Sequence, residues 1–516
     1  MTDSVLTAPD DLSPPQSDPP SDPSPSEPAS DPPYPSGKAS WPHSRLFFRY
    51  PTPLATGWAL ESAMRGPHLM SNIFVAKALL DYATMEAGCD PNTTDVDGPC
   101  ESRVHGFLPS SLLTNMVLVS GLLGAALMPV VGSVVDHTKH RRLVGRASWV
   151  GLVVVHATLM CASERNWLYM AGVQVCGRVV DLTHLMVSYA YLPEITDDSV
   201  ELSRLSSSFN VKQYGCGAVF LGCVGAAAYV LNLKSGGTVV LSQITVLTIT
   251  LLLGATAWCS NLFPPRAALS AVPKGSYVIT AGFRKLADTG SKIITKYRPL
   301  RWMIVTMMLA EAASNTFTQI AITYTSEVLA MSANQVSATI FVLLLAIVPG
   351  SAFMAYLSNK LDPIRSYRLS LFYFGSVQLL ASILLQSPAN ANLCYAFAAA
   401  WGFGFGWMHP AQRVLFATII PHGQETEMMG IYTFSGQALL FLPPLLFSML
   451  NEAGYHMSIG LGSLSVFFLG ASVCAGGIGS YGEATKFMGR AGSSGDKAQA
   501  EESVEVGPKT IVATNL

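Results

Sequence analysis

Residues 369–408 read LSLFYFGSVQLLASILLQSPANANLCYAFAAAWGFGFGWM, a run without a single Asp, Glu, Lys or Arg. About 20 mostly apolar residues are enough for a helix to cross the hydrocarbon of a bilayer, so this stretch holds two. It divides at Ser387-Pro388-Ala389-Asn390, whose residues favour a turn over a continuous helix. Working outward, 235–265 and 328–359 are equally free of charge. Only 12% of the chain is charged, against about a quarter in soluble domains. Mean hydropathy is +0.37. These values exclude an ordinary soluble enzyme, and a net charge of −2 gives no basic excess to attract nucleic acid.

Extending this reading along the 516 residues predicts an all-α membrane protein with twelve transmembrane helices. They lie near 57–82, 107–135, 143–163, 166–193, 205–233, 238–263, 300–329, 335–357, 366–387, 393–420, 428–450 and 457–481. Residues 1–56 hold 14 of the 32 prolines and read as a disordered Ser/Pro-rich cytoplasmic tail, with no signal-peptide pattern. Residues 57–263 form a first six-helix bundle, 264–299 a basic cytoplasmic linker, 300–481 a second bundle and 482–516 a flexible cytoplasmic tail. Lys and Arg asymmetry orients the chain. Lys139, Arg141, Arg142, Arg146, Arg204, Lys360, Arg365 and Arg368 fall on the side of the N-terminus, against Arg103, Arg165 and Lys234 opposite. Both termini are therefore expected in the cytoplasm. In the linker, Ile279, Phe283, Leu286, Ile293 and Ile294 recur at near-helical spacing among Arg284, Lys285, Lys292 and Lys296, as in an amphipathic helix on anionic headgroups.

Two sets of six helices joined by a basic loop resemble the major facilitator superfamily, in which two bundles rock about a site at the bilayer midplane. Gly132, Asp136, Arg141 and Arg142 resemble that superfamily's gating motif between helices 2 and 3, and Asp362, Arg365 and Arg368 repeat its acid and basic cluster in the second half. More specific is Gly402-Phe-Gly404-Phe-Gly406, followed by Gln412-Arg413, then Ile420-Pro421-His-Gly423-Gln-Glu425-Thr-Glu427 and Gly430-Ile-Tyr432. With Gly57-Trp58 opening helix 1 and Tyr191-Leu192-Pro193-Glu194 closing helix 4, this pattern resembles the vacuole-effluxer family, named for an autophagy-related amino-acid effluxer of fungal vacuoles. The resemblance implies alternating access, an amino-acid solute and a vacuolar or lysosomal membrane.

Charges inside membrane helices are costly and usually face a cavity or a partner. Helical phase gathers Glu61, Arg65, His68 and Asn72 on one face of helix 1, and Gln174, Arg178 and Asp181 on one face of helix 4. Helix 7 adds Glu311, Asn315, Thr318 and Gln319, and helix 10 adds His409, Gln412 and Arg413. These residues are the candidate substrate site. Glu61 and Arg65 could equally form a local i, i+4 pair, and Arg178 with Asp181 a permanent salt bridge. A lone His156 is expected to be satisfied locally. Guanidinium and carboxylate groups together suit a zwitterionic or charged solute, and Glu61, Asp181 and Glu311 are the candidates for carrying protons as access alternates.

Of nine cysteines, Cys89 and Cys100 alone lie in a loop, the first on the non-cytoplasmic side, and are the candidate disulfide; Asn92 in the same loop heads the candidate glycosylation sequon. No metal-ligand spacing or cofactor motif stands out. The expected partners are a small polar solute, protons and the lipid bilayer. The alternatives are a plasma-membrane permease for sugars or organic anions, and a non-transporting membrane receptor or scaffold.

Overall fold

The structure is a computed structural model that describes residues 50, 52–89, 100, 102–195, 199–268, 277–357, 360–420 and 425–487. The N-terminal tail to residue 49, the Asn92 sequon, Pro421 to Gly423 of the effluxer-like motif and the C-terminal tail from 488 lie outside these residues. Among the described residues the regular elements are all helical, with one isolated bridge between Val104 and Phe107.

The first half comprises α1 (Pro53–Glu86), α2 (Leu112–His137), α3 (Arg141–Leu159), α4 (Trp167–Tyr191), α5 (Ser199–Val230), α6 (Ser235–Ile249) and α7 (Ala255–Cys259). A π-helical turn at Thr250–Gly254 joins α6 to α7. The linker contains α8 (Val278–Lys296). The second half follows with α9 (Arg298–Glu327), α10 (Ala333–Leu357), α11 (Pro363–Leu384), α12 (Ala391–Thr418), α13 (Glu425–Ala438), α14 (Leu442–Glu452), α15 (Met457–Ala475) and the short α16 (Tyr481–Phe487).

Local chemistry sets several boundaries. Thr52 caps α1, accepting from the Ala55 amide at 3.1 Å, and Asp362 caps α11, accepting from Arg365 at 2.8 Å. Proline follows each cap at the first helical position, where its missing N–H costs nothing. The segment expected as one helix over 428–450 is instead two. Pro443 and Pro444 cannot donate to the carbonyls one turn back, and their rings crowd those carbonyls, so the chain stops at Ala438 and restarts at Leu442.

Among the described residues, seven helical spans are long and apolar enough to cross a membrane by length and composition. α1, α3, α4, α9 and α12 are not among them; in α1, α4 and α9 the polar stripes read from the sequence lower the hydropathy. Large apolar side chains point outward along the helices, including Val154, Val230, Leu252, Val348, Phe372, Ile383, Val466 and Val473. In water that surface would be a liability, whereas a bilayer solvates it.

Close helix crossings rely on glycine. A methyl group on Gly402 or Gly406 of α12 would lie 2.0 Å or 2.1 Å from the Leu343 or Ile347 carbonyl oxygen of α10. Gly66 of α1 is as tight against Gln213 of α5. Such backbone contact lets dispersion hold helices together where lipid removes the hydrophobic drive. Between the halves, α5 meets α10, α2 meets α13 and α14, and α1 meets α9.

Candidate functional site

A cavity of about 1540 Å³ runs between the two halves. Of the sequence-predicted residues, Glu61, Arg65, His68, Asn72, Gln174, Arg178, Asp181, Glu311, Asn315, Gln319, His409 and Arg413 line it. Gln412 does not: it is buried behind the wall, where it donates to Glu311 Oε1 at 2.7 Å and accepts from the Tyr367 hydroxyl at 2.9 Å. Its role in the geometry is to hold Glu311, with Tyr432 3.2 Å from the same amide.

The first-half wall is a set of buried charges. Asp181 receives Arg65 at 3.1 Å on one oxygen and Arg178 at 3.0 Å on the other. Arg178 is the accessible member, its side chain 30% exposed against 9% for Arg65. Glu61 does not pair with Arg65; it lies 2.9 Å from His184 Nε2 and accepts from the Trp258 indole at 3.1 Å. His184 Nδ1 in turn meets the Ser148 hydroxyl at 2.9 Å. Ser148, His184 and Glu61 thus form a Ser–His–Glu chain that the sequence did not reveal, but Ser148 lies outside the cavity lining and donates to the Gly145 carbonyl. A solute in the cavity does not reach that hydroxyl.

His156 has both ring nitrogens satisfied by neighbouring helices. Its Nε2 is 2.8 Å from His68 Nδ1, its Nδ1 is 2.8 Å from Gln243 Oε1, and it lines the cavity.

In the second half, Glu311 is held by Gln412 and by Asn315 at 3.3 Å, with His409 Nδ1 3.6 Å away. Arg413 projects into the cavity and, among the described residues, has neither a hydrogen bond nor an ion pair. Glu311 is the carboxylate that acts on it electrostatically, and Tyr189, Tyr214 and Tyr432 line the same cavity. The sequence reading did not assign these tyrosines to the site, although Tyr432 stands in the effluxer-like motif. It also missed Lys77 and Asp81, which pair within α1, with Ser235 donating to Asp81 at 2.6 Å and Glu327 of α9 facing them.

Each end of the cavity has its own fastening. On the side of the first loop, Cys89 and Cys100 are disulfide-bonded. Arg103 and the Leu108 amide donate to Glu452 at 2.7 and 2.9 Å, and Asn451 donates to the Ser110 and Ser111 hydroxyls at 2.7 and 2.8 Å. These bonds tie the two halves at that end. On the other side, α8 crosses α2 so closely that a methyl on Gly282 would lie 1.9 Å from the Pro129 carbonyl oxygen. There Lys285 pairs with Asp136 at 3.0 Å, Arg141 with Glu194 at 2.5 Å, and Arg142 donates to the Ser260 carbonyl at 3.2 Å. Gly132 and Asp136 line the cavity, while Arg141 and Arg142 brace neighbouring helix ends.

Comparison with known proteins agrees with this geometry. A family model described as vacuole effluxer Atg22 like matches residues 109–475. Among solved structures, a mutant of the nucleoside transporter NupG superposes with a TM-score of 0.54 at 12% identity, covering 83% of this chain and all of that one. The human organic anion transporter MFSD10 (TETRAN) gives 0.55 at 13% identity over the same shares. No curated protein matches the sequence.

Proposed function

Because this chain belongs to the vacuole effluxer Atg22-like family of membrane transporters with the major facilitator fold, we propose that it moves amino acids across a vacuolar or lysosomal membrane by alternating access. Arg413 carries the reading. A guanidinium that forms no salt bridge in a cavity shared by both halves offers itself to a carboxylate, and Glu311 in the same cavity supplies the negative charge that an α-ammonium group needs. Tyr189, Tyr214 and Tyr432 offer hydroxyls to the same ligand. A second guanidinium, Arg178, is the accessible cation of the opposite wall and takes the same carboxylate when the solute sits against the first half.

The chain crosses the bilayer twelve times, with α6 and α7 acting as one span and α13 and α14 as another. Both termini and α8 face the cytoplasm, and the disulfide-bonded loop faces the lumen. Transport is coupled to protons, and the reaction makes and breaks no covalent bond.

Uptake by proteoliposomes of the purified full-length chain tests this, using labelled amino acids, sugars, nucleosides and organic acids with and without a proton gradient. Saturable amino-acid flux that collapses in Arg413→Ala is expected. Flux of a neutral sugar or nucleoside that tolerates Arg413→Ala would overturn the amino-acid reading.

A further inference from the structure

The second-half site leaves unused a chain of groups on the opposite wall. From the cavity inward it runs Asp181 Oδ1, 3.4 Å from His68 Nε2; His68 Nδ1, 2.8 Å from His156 Nε2; and His156 Nδ1, 2.8 Å from Gln243 Oε1. The four residues come from α4, α1, α3 and α6, and all are buried.

Donor and acceptor accounting fixes what this chain can hold. Gln243 Oε1 can only accept, so His156 carries its proton on Nδ1 and presents a lone pair at Nε2. His68 Nδ1 must then donate to it. With each imidazole neutral, His68 Nε2 is left as a lone pair facing a carboxylate oxygen. Two acceptors at 3.4 Å make no hydrogen bond, and one proton placed between them completes the chain. Beyond Gln243 the path stops: that side chain is fully buried, and its Nε2 has no partner. Turning the amide over reverses the chain, so that neutral His68 donates from Nε2 to Asp181; the vacancy for an added proton belongs to the orientation seen here, with Gln243 Oε1 on His156.

The surrounding charges decide when that proton is welcome. The groups acting on His68 are Asp181, His156, Arg65 and Arg178, and those acting on His156 are Asp181 and Gln243. Glu61, one turn before Arg65, is coupled to that arginine and to His184. Packed against α1, α5 brings Tyr214 to the cavity wall. With neutral imidazoles, Arg65 and Arg178 balance Asp181 and Glu61. A proton on His68 would leave one positive charge in excess. A solute carboxylate at the half-buried Arg178 would cancel it.

We propose that His68 and His156 form a dead-end proton store that loads together with a carboxylate at Arg178, and so couple solute to proton. The proton comes from cavity water, bonds to His68 Nε2, is donated to Asp181, and leaves by the same route when the carboxylate departs. A store open only to the cavity cannot leak protons to the far side, whereas a through-going wire would dissipate the gradient. Reciprocity follows from linkage: the carboxylate raises proton affinity by the factor that the proton raises carboxylate affinity. This rests on the transport reading above and names its coupling site.

The test is nitrogen NMR of the histidine-labelled full-length protein in nanodiscs, titrated over roughly pH 5 to 8, where imidazoles ordinarily change charge. Acetate serves as the carboxylate probe. Two resonances are expected to titrate together, to move to higher pH with acetate, and to lose this behaviour in His156→Gln. Gln243→Glu, which keeps both imidazoles and holds His156 Nδ1–H more firmly, should move the shared midpoint upward. A pair that ignores acetate, or titrates unchanged in both variants, overturns the proposal. In proteoliposomes, gradient-driven accumulation should fall about tenfold in His156→Gln. Failure of wild-type amino-acid flux with an acetate-sensitive pair would sink the solute reading alone. Amino-acid flux with unaltered gradient dependence in both variants would sink the proton store alone.

Discussion

Arg413 and Gln412 are neighbours in sequence with opposite surroundings, and each makes a prediction. Charge-assisted hydrogen bonds contribute about 1.5–3 kcal/mol, so Arg413→Ala should lower kcat/KM for an amino acid by roughly 10- to 150-fold in proteoliposome uptake. Gln412→Leu removes no cavity contact but frees the Glu311 carboxylate from the donor 2.7 Å away. It should lower flux about tenfold through misplacement of Glu311, while the solute's carboxylate end still binds, as measured by competition with acetate. The sequence reading took all three of His409, Gln412 and Arg413 into the candidate site. At 100° per residue His409 and Arg413 do share a face, but Gln412 is turned some 60° away from His409, toward α11 and its Tyr367. The His68–His156 contact was not legible, because helical phase says which face a residue occupies and nothing about which helix it meets. Lys77 and Asp81 did carry a signal, two charges four apart in an apolar helix, which the sequence reading passed over.

Helix crossings make the sharpest predictions at the scale of elements. Gly406→Leu would drive a side chain into the Ile347 carbonyl 2.1 Å from its first carbon. Overpacking of this kind costs about 1–3 kcal/mol or more, seen as a lower unfolding temperature of the purified protein. Gly282→Leu should lift α8 from α2, and hydrogen exchange in 278–296 should then rise while α9 to α12 keep their protection. Most helices were readable because apolar length is a strong signal in a bilayer. The break between α13 and α14 was overlooked although Pro443 and Pro444 stand in the sequence. The linker's apolar and basic alternation suggested headgroups, and Ile279, Phe283 and Ile294 are indeed exposed. Its opposite edge docks on α2 through the close approach at Gly282, the Lys285–Asp136 pair and Ser133 donating to the Val278 carbonyl at 2.5 Å.

For the whole molecule, the division into two helical sets was legible from charge-free lengths, while the contacts that join the sets were not. Arg103 and Glu452 are 349 residues apart, and neither sits in a motif. Removing the acceptor of two donors, Glu452→Ala should loosen the end that carries the disulfide. In a Thr325→Cys background, where the new thiol lines the cavity, labelling by an impermeant maleimide should rise severalfold when followed on that peptide by mass spectrometry. Unchanged labelling would mean that the latch is not what shuts this end. The double-proline break then acquires a mechanical meaning. α14 carries the latch residues Ser448, Asn451 and Glu452, while α13 lies against α8 at the opposite end. An unbroken rod would force one door to swing whenever the other did, like a seesaw. A jointed one lets each door follow its own hinge, so both can stand shut at once, and the carrier can pause as an airlock between its two sides.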